Sequence, residues 1–153
     1  MITRDQVVPL LLNACPTIRP KWEEHLASLN ADDSHRFLDM AVFAEHIVDN
    51  YANGATAECG PLFEAVERIL EEGDQQAREL AVTGVLEDIQ TISTHHPFGP
   101  AVFEVWLGPK SRQVWAEIDA QWRAGGGSLA GVIRLERSTA LDRKCWQFWK
   151  RTP

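Results

Sequence analysis

Apolar residues recur along the chain every three or four positions, which is the spacing of one face of an α-helix. No stretch alternates apolar and polar residues strongly enough to build a sheet. The pattern therefore predicts an all-α fold, a single domain of six or seven helices over residues 1–153, in which helix pairs could stack as in HEAT repeats. The clearest apolar stripe comprises Leu62, Phe63, Val66, Ile69 and Leu70.

Proline, glycine and capping residues divide this pattern into helices. Thr3 and Gln6 have the spacing of a capping box at the start of the first helix. Pro20 suits the first turn of the second helix, and Asn53-Gly54 is a strong turn signal after the third. The predicted helices are residues 3–13, 20–29, 34–51, 61–72, 75–92 and 110–123, with a helical turn at 101–107, a strand or helical turn at 129–135 and a short helix at 141–151.

The segment 62–92 is predicted to form a tight, central antiparallel αα-hairpin. Gly73 is expected to end the first helix in a left-handed conformation, and Asp74 to cap the next helix by accepting hydrogen bonds from free N–H groups. Small residues at positions 77, 81 and 84 allow a neighbouring helix to approach closely. The glycine-rich residues 124–128 are expected to form a flexible linker before a C-terminal segment.

Charge is distributed unevenly along the chain, whose formal net charge is −7. Residues 58–90 carry nine acidic and two basic side chains, whereas residues 129–153 carry two acidic and six basic ones. An acidic block repels phosphate, so we expect no nucleic-acid partner. A basic protein surface is the partner that this charge favours, because opposite charges speed association.

Two interpretations of the acidic block remain open. A run of charge is often only the solvated face of a helix. Alternatively, the carboxylates form a docking surface that steers a basic partner and pairs with its arginines. The candidate partner-binding residues are Glu58, Glu64, Glu67, Glu71, Glu72, Glu79, Glu87 and Asp88.

Residues with catalytic or metal-binding potential lack the spacing that such chemistry needs. The adjacent His95 and His96 point different ways in a helix, and no HExxH, CxxC or ligand-spaced carboxylate cluster lies near them. The glycine run before Ser128 lacks the lysine of a phosphate loop. We therefore expect no enzyme activity, no metal and no cofactor. A metal-dependent enzyme that uses both histidines with Glu45 or Glu104 is the remaining catalytic alternative.

The cysteines and apolar runs indicate a cytoplasmic protein without a membrane partner. Cys15, Cys59 and Cys145 are odd in number and widely spaced, which favours reduced thiols. No apolar run reaches the length of about 20 residues that a membrane helix needs. Pro9 interrupts the apolar N-terminal stretch, which we interpret as a helix of the mature protein.

The tail is distinctive because residues 145–151 mix aromatic and basic side chains. Such a mixture is found in segments that bind single-stranded nucleic acid or a membrane surface. We expect instead that Trp146 and Trp149 pack a terminal helix onto the core. Both a monomer and a homodimer are compatible with this tail.

Two segments resemble a family of small helical bacterial proteins whose domain has no assigned function. The segments are "LFEAVERILEEGDQQARELAVTGVLEDIQ" and "WLGPKSRQVWAEIDAQW". They contain an acidic helix, a Gly-Asp turn, a GxLE-type patch at Gly84 to Glu87 and an LGPxSxxxW element, all within about residues 61–122. Members of this family occur among the immunity proteins of bacterial toxin systems.

The resemblance implies a non-catalytic cytoplasmic protein that binds and neutralises a cognate toxin. A nuclease is one candidate toxin, because its basic cleft would accept an acidic helical face. The resemblance supplies no catalytic residue. A protein–protein adaptor or chaperone-like module is the alternative function of a binding kind.

Overall fold

The computed structural model describes residues 1–29 and 36–125, without the side chains of residues 36–38. Within these ranges the protein has seven α-helices and no strand, so the predicted all-α bundle is confirmed. The helices are α1 (Arg4–Ala14), α2 (Arg19–Ser28), α3 (Arg36–Ala52), α4 (Cys59–Glu72), α5 (Gln75–Ala81), α6 (Glu87–Ser93) and α7 (Pro109–Arg123). Two 3-10 helices, Pro16–Ile18 and Pro100–Trp106, and a π-helical turn, Val82–Leu86, complete the described fold.

One hydrophobic core receives side chains from all seven helices. The predicted stripe of α4 contributes to it, since four of its five residues are 0% exposed and Leu70 is 7% exposed. Phe63 packs on Phe103 and Trp115, with ring centroids 6.2 and 6.5 Å apart. These contacts join α4 to the second 3-10 helix and to α7, and burial of such rings is the main stabilising contribution to the bundle.

Helices that are neighbours in space are often distant in sequence. α1 packs on α4 and α5, α3 packs on the π-helical turn and α6, and α4 also packs on α7. Repeat proteins instead stack each helix pair on the next pair in sequence. The HEAT-like stacking that the pattern allowed is therefore not the observed arrangement. α4 meets the following helix mainly at α5, next to the turn, whereas the later part of the second arm packs chiefly on α3.

Gly73 ends α4, but not in the left-handed conformation that the sequence suggested. Its φ is −72° and its ψ is 150°, which is extended backbone. It forms an isolated parallel bridge with Ile2, in which Ile2 N–H donates to Glu72 O (2.9 Å) and Asp74 N–H donates to Ile2 O (2.8 Å). Space is what requires glycine here, because a Cβ would lie 2.3 Å from the carbonyl oxygen of Ile69.

Two predicted helix caps are confirmed. Asp74 Oδ1 accepts a hydrogen bond from Ala77 N–H (2.8 Å) in the first turn of α5. Thr3 N–H donates to Gln6 Oε1 (2.9 Å), the backward contact of a capping box at the start of α1. Both contacts satisfy backbone groups that the end of a helix leaves without partners.

The segment 75–92, predicted as one helix, contains an irregularity. α5, the π-helical turn and α6 follow one another without a break. A π-turn shifts the hydrogen-bond pattern and so changes which side chains face the core. The buried residues of this segment include Val82, Leu86 and Glu87. The burial of Glu87 bears directly on the candidate site.

Some predictions fall at the edges of the described ranges. α4 begins at Cys59, two residues before the expected start at Pro61, which lies in the first turn where a missing N–H removes no helical bond. Several predictions lie outside the described residues. They are the part of the linker from residue 126 onward, the elements at 129–135 and 141–151, and the start of the third helix before residue 36. None of the described helices is both long and apolar enough to cross a bilayer.

Candidate functional site

The eight acidic candidates do not form one continuous exposed surface. Three are exposed on α4, four are half-buried, and Glu87 is buried with 3% exposure. The exposed set, which we name the α4 acidic edge, consists of Glu64, Glu71 and Glu72. The half-buried set consists of Glu58, Glu67, Glu79 and Asp88. Burial thus separates carboxylates that a partner can reach from carboxylates that face other parts of the fold.

Glu67 caps the N-terminus of α7. Its Oε1 accepts a hydrogen bond from Lys110 N–H (2.7 Å), and its Oε2 accepts from Ser111 N–H (2.8 Å) and Ser111 Oγ (2.7 Å). The start of a helix leaves such N–H groups without intrahelical partners, and a carboxylate also suits the positive end of the helix dipole. Gly108 makes room, because a Cβ there would lie 2.5 Å from Glu67 Cδ. The carboxylate of Glu67 is therefore already used in hydrogen bonds within the fold.

The same contact explains two of the sequence motifs. The acidic helix and the LGPxSxxxW element meet where Glu67 binds Ser111, 44 residues further along the chain. The tryptophan of that element, Trp115, packs on Phe63 of α4. The motifs therefore hold the junction between α4 and α7 together.

Glu58 joins three parts of the bundle. Its Oε1 accepts from Thr17 N–H (2.9 Å) and its Oε2 from Thr17 Oγ1 (2.5 Å). His46 Nε2 lies 3.2 Å from Glu58 Oε2 and 2.9 Å from Thr17 Oγ1. Burial would raise the pKa of Glu58, but the hydrogen bonds from Thr17 and His46 outweigh it and lower that pKa. The cluster ties the first 3-10 helix to α3 and to the beginning of α4.

This cluster has the residue types of a nucleophile and a base without their catalytic geometry. In a catalytic triad the acid holds one imidazole nitrogen and the nucleophile faces the other. Glu58 and Thr17 both contact Nε2 of His46, and the buried Nδ1 has no hydrogen-bond partner. We assign the cluster a structural role. Sequence pattern does not indicate this cluster, because 29 residues separate Thr17 from His46 and no local pattern links them.

Two buried cysteines lie near Glu58. Burial, the Glu58 carboxylate and Cys59 raise the pKa of Cys15 to about 12. Burial and the same carboxylate raise the pKa of Cys59 to about 11. Because the thiolate is the reactive form of cysteine, both side chains are inert thiols at neutral pH.

A second group of carboxylates gathers where α3 packs on α6. Burial, followed by repulsion from Glu87 and Glu45, raises the pKa of Asp88 to about 7. Glu45 is exposed and Asp88 is half-buried, so this corner of the surface is acidic. Glu87 itself is buried, which removes its carboxylate from any surface that a partner could touch directly. Glu87 follows directly on the π-helical turn.

The residues of the metal-enzyme alternative are not brought together. Within residues 1–29 and 39–125, no group of three or more His, Cys, Asp or Glu side chains could hold a metal ion. His95 is exposed, and His96 stacks on Phe98 with ring centroids 4.9 Å apart. Glu45 faces Asp88, as described above, and Glu104 is exposed on the second 3-10 helix.

Comparison with known proteins places this chain in a wider group. A family model described as "Domain of unknown function (DUF7674)" matches residues 8–123. The match runs from α1 to the end of α7 and includes both motif segments. No curated protein and no solved structure matches the chain.

Proposed function

The chain belongs to this family of unknown function, and we propose that it is a non-catalytic module that binds a basic protein surface through the α4 acidic edge. Glu64, Glu71 and Glu72 are exposed there, with Arg68 as the exposed cation between them. Arg68 pairs with Glu72 at 3.5 Å, an exposed contact of the kind that contributes little to stability. A partner's lysines and arginines therefore meet a net negative helix edge.

The observation that supports this proposal most directly is that the core and α7 hold α4 in place. Its apolar face is buried in the core, and Glu67 binds it to α7 through three hydrogen bonds. Glu64 and Glu71 are two helical turns apart, about 10 Å along the axis. Because the backbone of α4 is already held in place, it loses little conformational freedom on binding and presents its glutamates at a fixed spacing for a basic partner to match.

The more specific form of the proposal is a cytoplasmic immunity protein that neutralises a cognate bacterial toxin. It is supported by the resemblance of the motif segments to a family whose members occur among immunity proteins, and by the net charge of −7. A toxin with a basic cleft, such as a nuclease, is the matching partner class. An adaptor for a harmless basic protein would use the same edge and is the second form.

Co-expression distinguishes these two forms. The C-terminal domain of the protein encoded beside this one is expressed in bacteria with and without this chain, and survival and co-purification are scored. Killing that this chain prevents, together with a one-to-one complex, supports the immunity protein. A complex with a harmless neighbour supports the adaptor. Absence of a complex with the neighbour's product contradicts the immunity form.

Charge reversal tests the α4 acidic edge in whichever complex is found. The double variant Glu64→Lys, Glu71→Lys should slow association by about tenfold or more at low salt, because steering charges act mainly on the association rate. The matched control is Glu23→Lys, Glu24→Lys, which changes the net charge equally at exposed positions of α2. Equal slowing by both double variants would assign the effect to net charge and remove the edge from the mechanism.

A further inference from the structure

A small pocket lies between α6, the second 3-10 helix and α7, away from the α4 acidic edge. Its volume is about 170 Å³ and its surface is mostly apolar. An apolar cavity of about 150 Å³ takes up a benzene-sized ring, so the pocket can hold one aromatic side chain. Its lining residues are Gln90, Thr91, Thr94, Pro100, Asp119 and Trp122.

The polar residues of this lining already have partners within the fold, and Asp119 pairs with Arg123 at 3.0 Å. Gln90 Nε2 donates to Trp115 O (3.0 Å), and the hydroxyls of Thr91 and Thr94 donate to carbonyl oxygens of their own helix at 3.0 and 2.6 Å. A polar ligand would have to compete with these bonds. The pocket is therefore suited to an apolar group, whose burial needs no hydrogen-bond partner.

The described part of the chain ends at residue 125, three residues after Trp122 of the pocket lining. Trp122, in the last turn of α7, lines the pocket and is 38% exposed, one of the few large apolar side chains left open to solvent in the described part. Gly125 then adopts a φ of +73° and its N–H donates to Trp122 O (3.1 Å), a left-handed turn that ends the helix. Residues 126–153 follow directly.

The segment that follows is opposite in net charge to the rest of the chain. Residues 1–125 carry 20 acidic and nine basic side chains, whereas residues 126–153 carry two acidic and six basic ones. Trp146 and Trp149 are three positions apart, so they share one face of the helix predicted there. Because the segment is tethered, its effective concentration at the pocket is in the millimolar range, which favours it over a separate partner.

We propose that the C-terminal segment docks on this pocket within the same chain, with the indole of Trp146 or Trp149 in the pocket and the other indole against Trp122. The proposal concerns a different surface from the α4 acidic edge and does not depend on the proposed function. It implies that an apolar pocket on this face is occupied by the protein's own tail.

Cys145, beside Trp146, provides a reporter in the full-length chain. Thr94→Cys adds an exposed thiol at the rim of the pocket, and mild oxidation should join it to Cys145 within one molecule. The two buried cysteines do not compete, since burial makes them unreactive. The control is Glu23→Cys, exposed on α2, a helix that packs on the first 3-10 helix and α3. The rim variant should form the intrachain disulfide about tenfold faster or more.

A second set of variants separates docking from random encounter. Adding Trp146→Ala and Trp149→Ala to the rim variant should reduce its cross-linking rate to that of the α2 control. Equal rates for the rim and α2 variants, or a rim rate that survives loss of both indoles, would overturn the proposal. A disulfide formed mainly between two chains would overturn it as well and would show that the tail docks on a second copy.

Discussion

Glu67 supplies the hydrogen-bond acceptors that the first turn of α7 lacks. A neutral side chain at the start of a helix can satisfy one or two N–H groups, but this carboxylate reaches two N–H groups and a hydroxyl at once. The contact requires a glycine at position 108, because any Cβ there would overlap the carboxylate. A charged group thus stabilises the fold on the same helix that carries the α4 acidic edge.

Glu67→Gln should lower the free energy of unfolding by about 1–3 kcal/mol, because an amide cannot accept all three hydrogen bonds and carries no charge. Denaturant unfolding followed by tryptophan fluorescence measures the loss. Glu64→Gln, on the exposed side of the same helix, should change that free energy by less than about 0.5 kcal/mol. Similar losses in the two variants would contradict the capping role.

No property of the residues near Glu67 distinguishes it from Glu64 or Glu71. All three are glutamates on the polar side of one amphipathic helix, and the sequence accordingly predicts one role for all of them. What separates them is a partner 43 residues away, which helical periodicity does not encode. The same holds for Glu58, whose partners Thr17 and His46 come from two other elements.

At the scale of elements, α4 and Gly73 illustrate what local pattern can and cannot predict. The buried face of α4 follows from its i, i+3, i+4 spacing, which is a local consequence of helix geometry. The sequence also marks Gly73 as the end of that helix. Its conformation depends on the bridge to Ile2, about 70 residues earlier in the sequence, and so the left-handed cap expected from short-range rules is wrong.

Gly73→Ala should destabilise the protein by about 2 kcal/mol or more, because the new methyl group would lie 2.3 Å from a backbone oxygen and would push the bridge apart. Gly60→Ala is the matched control within α4. Its Cβ would lie 3.7 Å from Trp106, an ordinary contact, so alanine there should stabilise the helix by about 0.5–1 kcal/mol. Thermal unfolding of both variants gives the comparison, and a tolerated Gly73→Ala would contradict the steric argument.

At the scale of the whole molecule, carboxylates repel one another where α3 packs on α6, two helices that are far apart in sequence. Sequence pattern locates the helices but not their partners, so the approach of Glu45 on α3 to Asp88 on α6 appears only in the fold. The raised pKa of Asp88 makes global stability depend on pH. The folded state retains a proton that the unfolded state releases, so this group's contribution is fully present below pH 4 and is lost as pH rises to about 7.

Asp88→Asn should therefore make the protein more stable than the wild type at pH 8, with an advantage that shrinks as the pH is lowered towards 5. Between about pH 4 and pH 7, the difference in free energy of unfolding between the variant and the wild type changes by at most about 1.4 kcal/mol per pH unit. Denaturant unfolding at several pH values measures it. Asp49→Asn, exposed and paired with Lys21, is the control and should show little change at either pH. A constant difference between Asp88→Asn and the wild type would refute the repulsion.

The long-range cap of α7 also has a consequence for the order in which the chain folds. Glu67 is synthesised 43 residues before Lys110 and 44 before Ser111, so the acceptor is made before its donors. α7 in isolation begins with Gly-Pro and has no side-chain cap of its own. Its first turn should thus form late, as a docking event on a preformed α4, and contacts of such long sequence separation slow the folding of an otherwise helical protein.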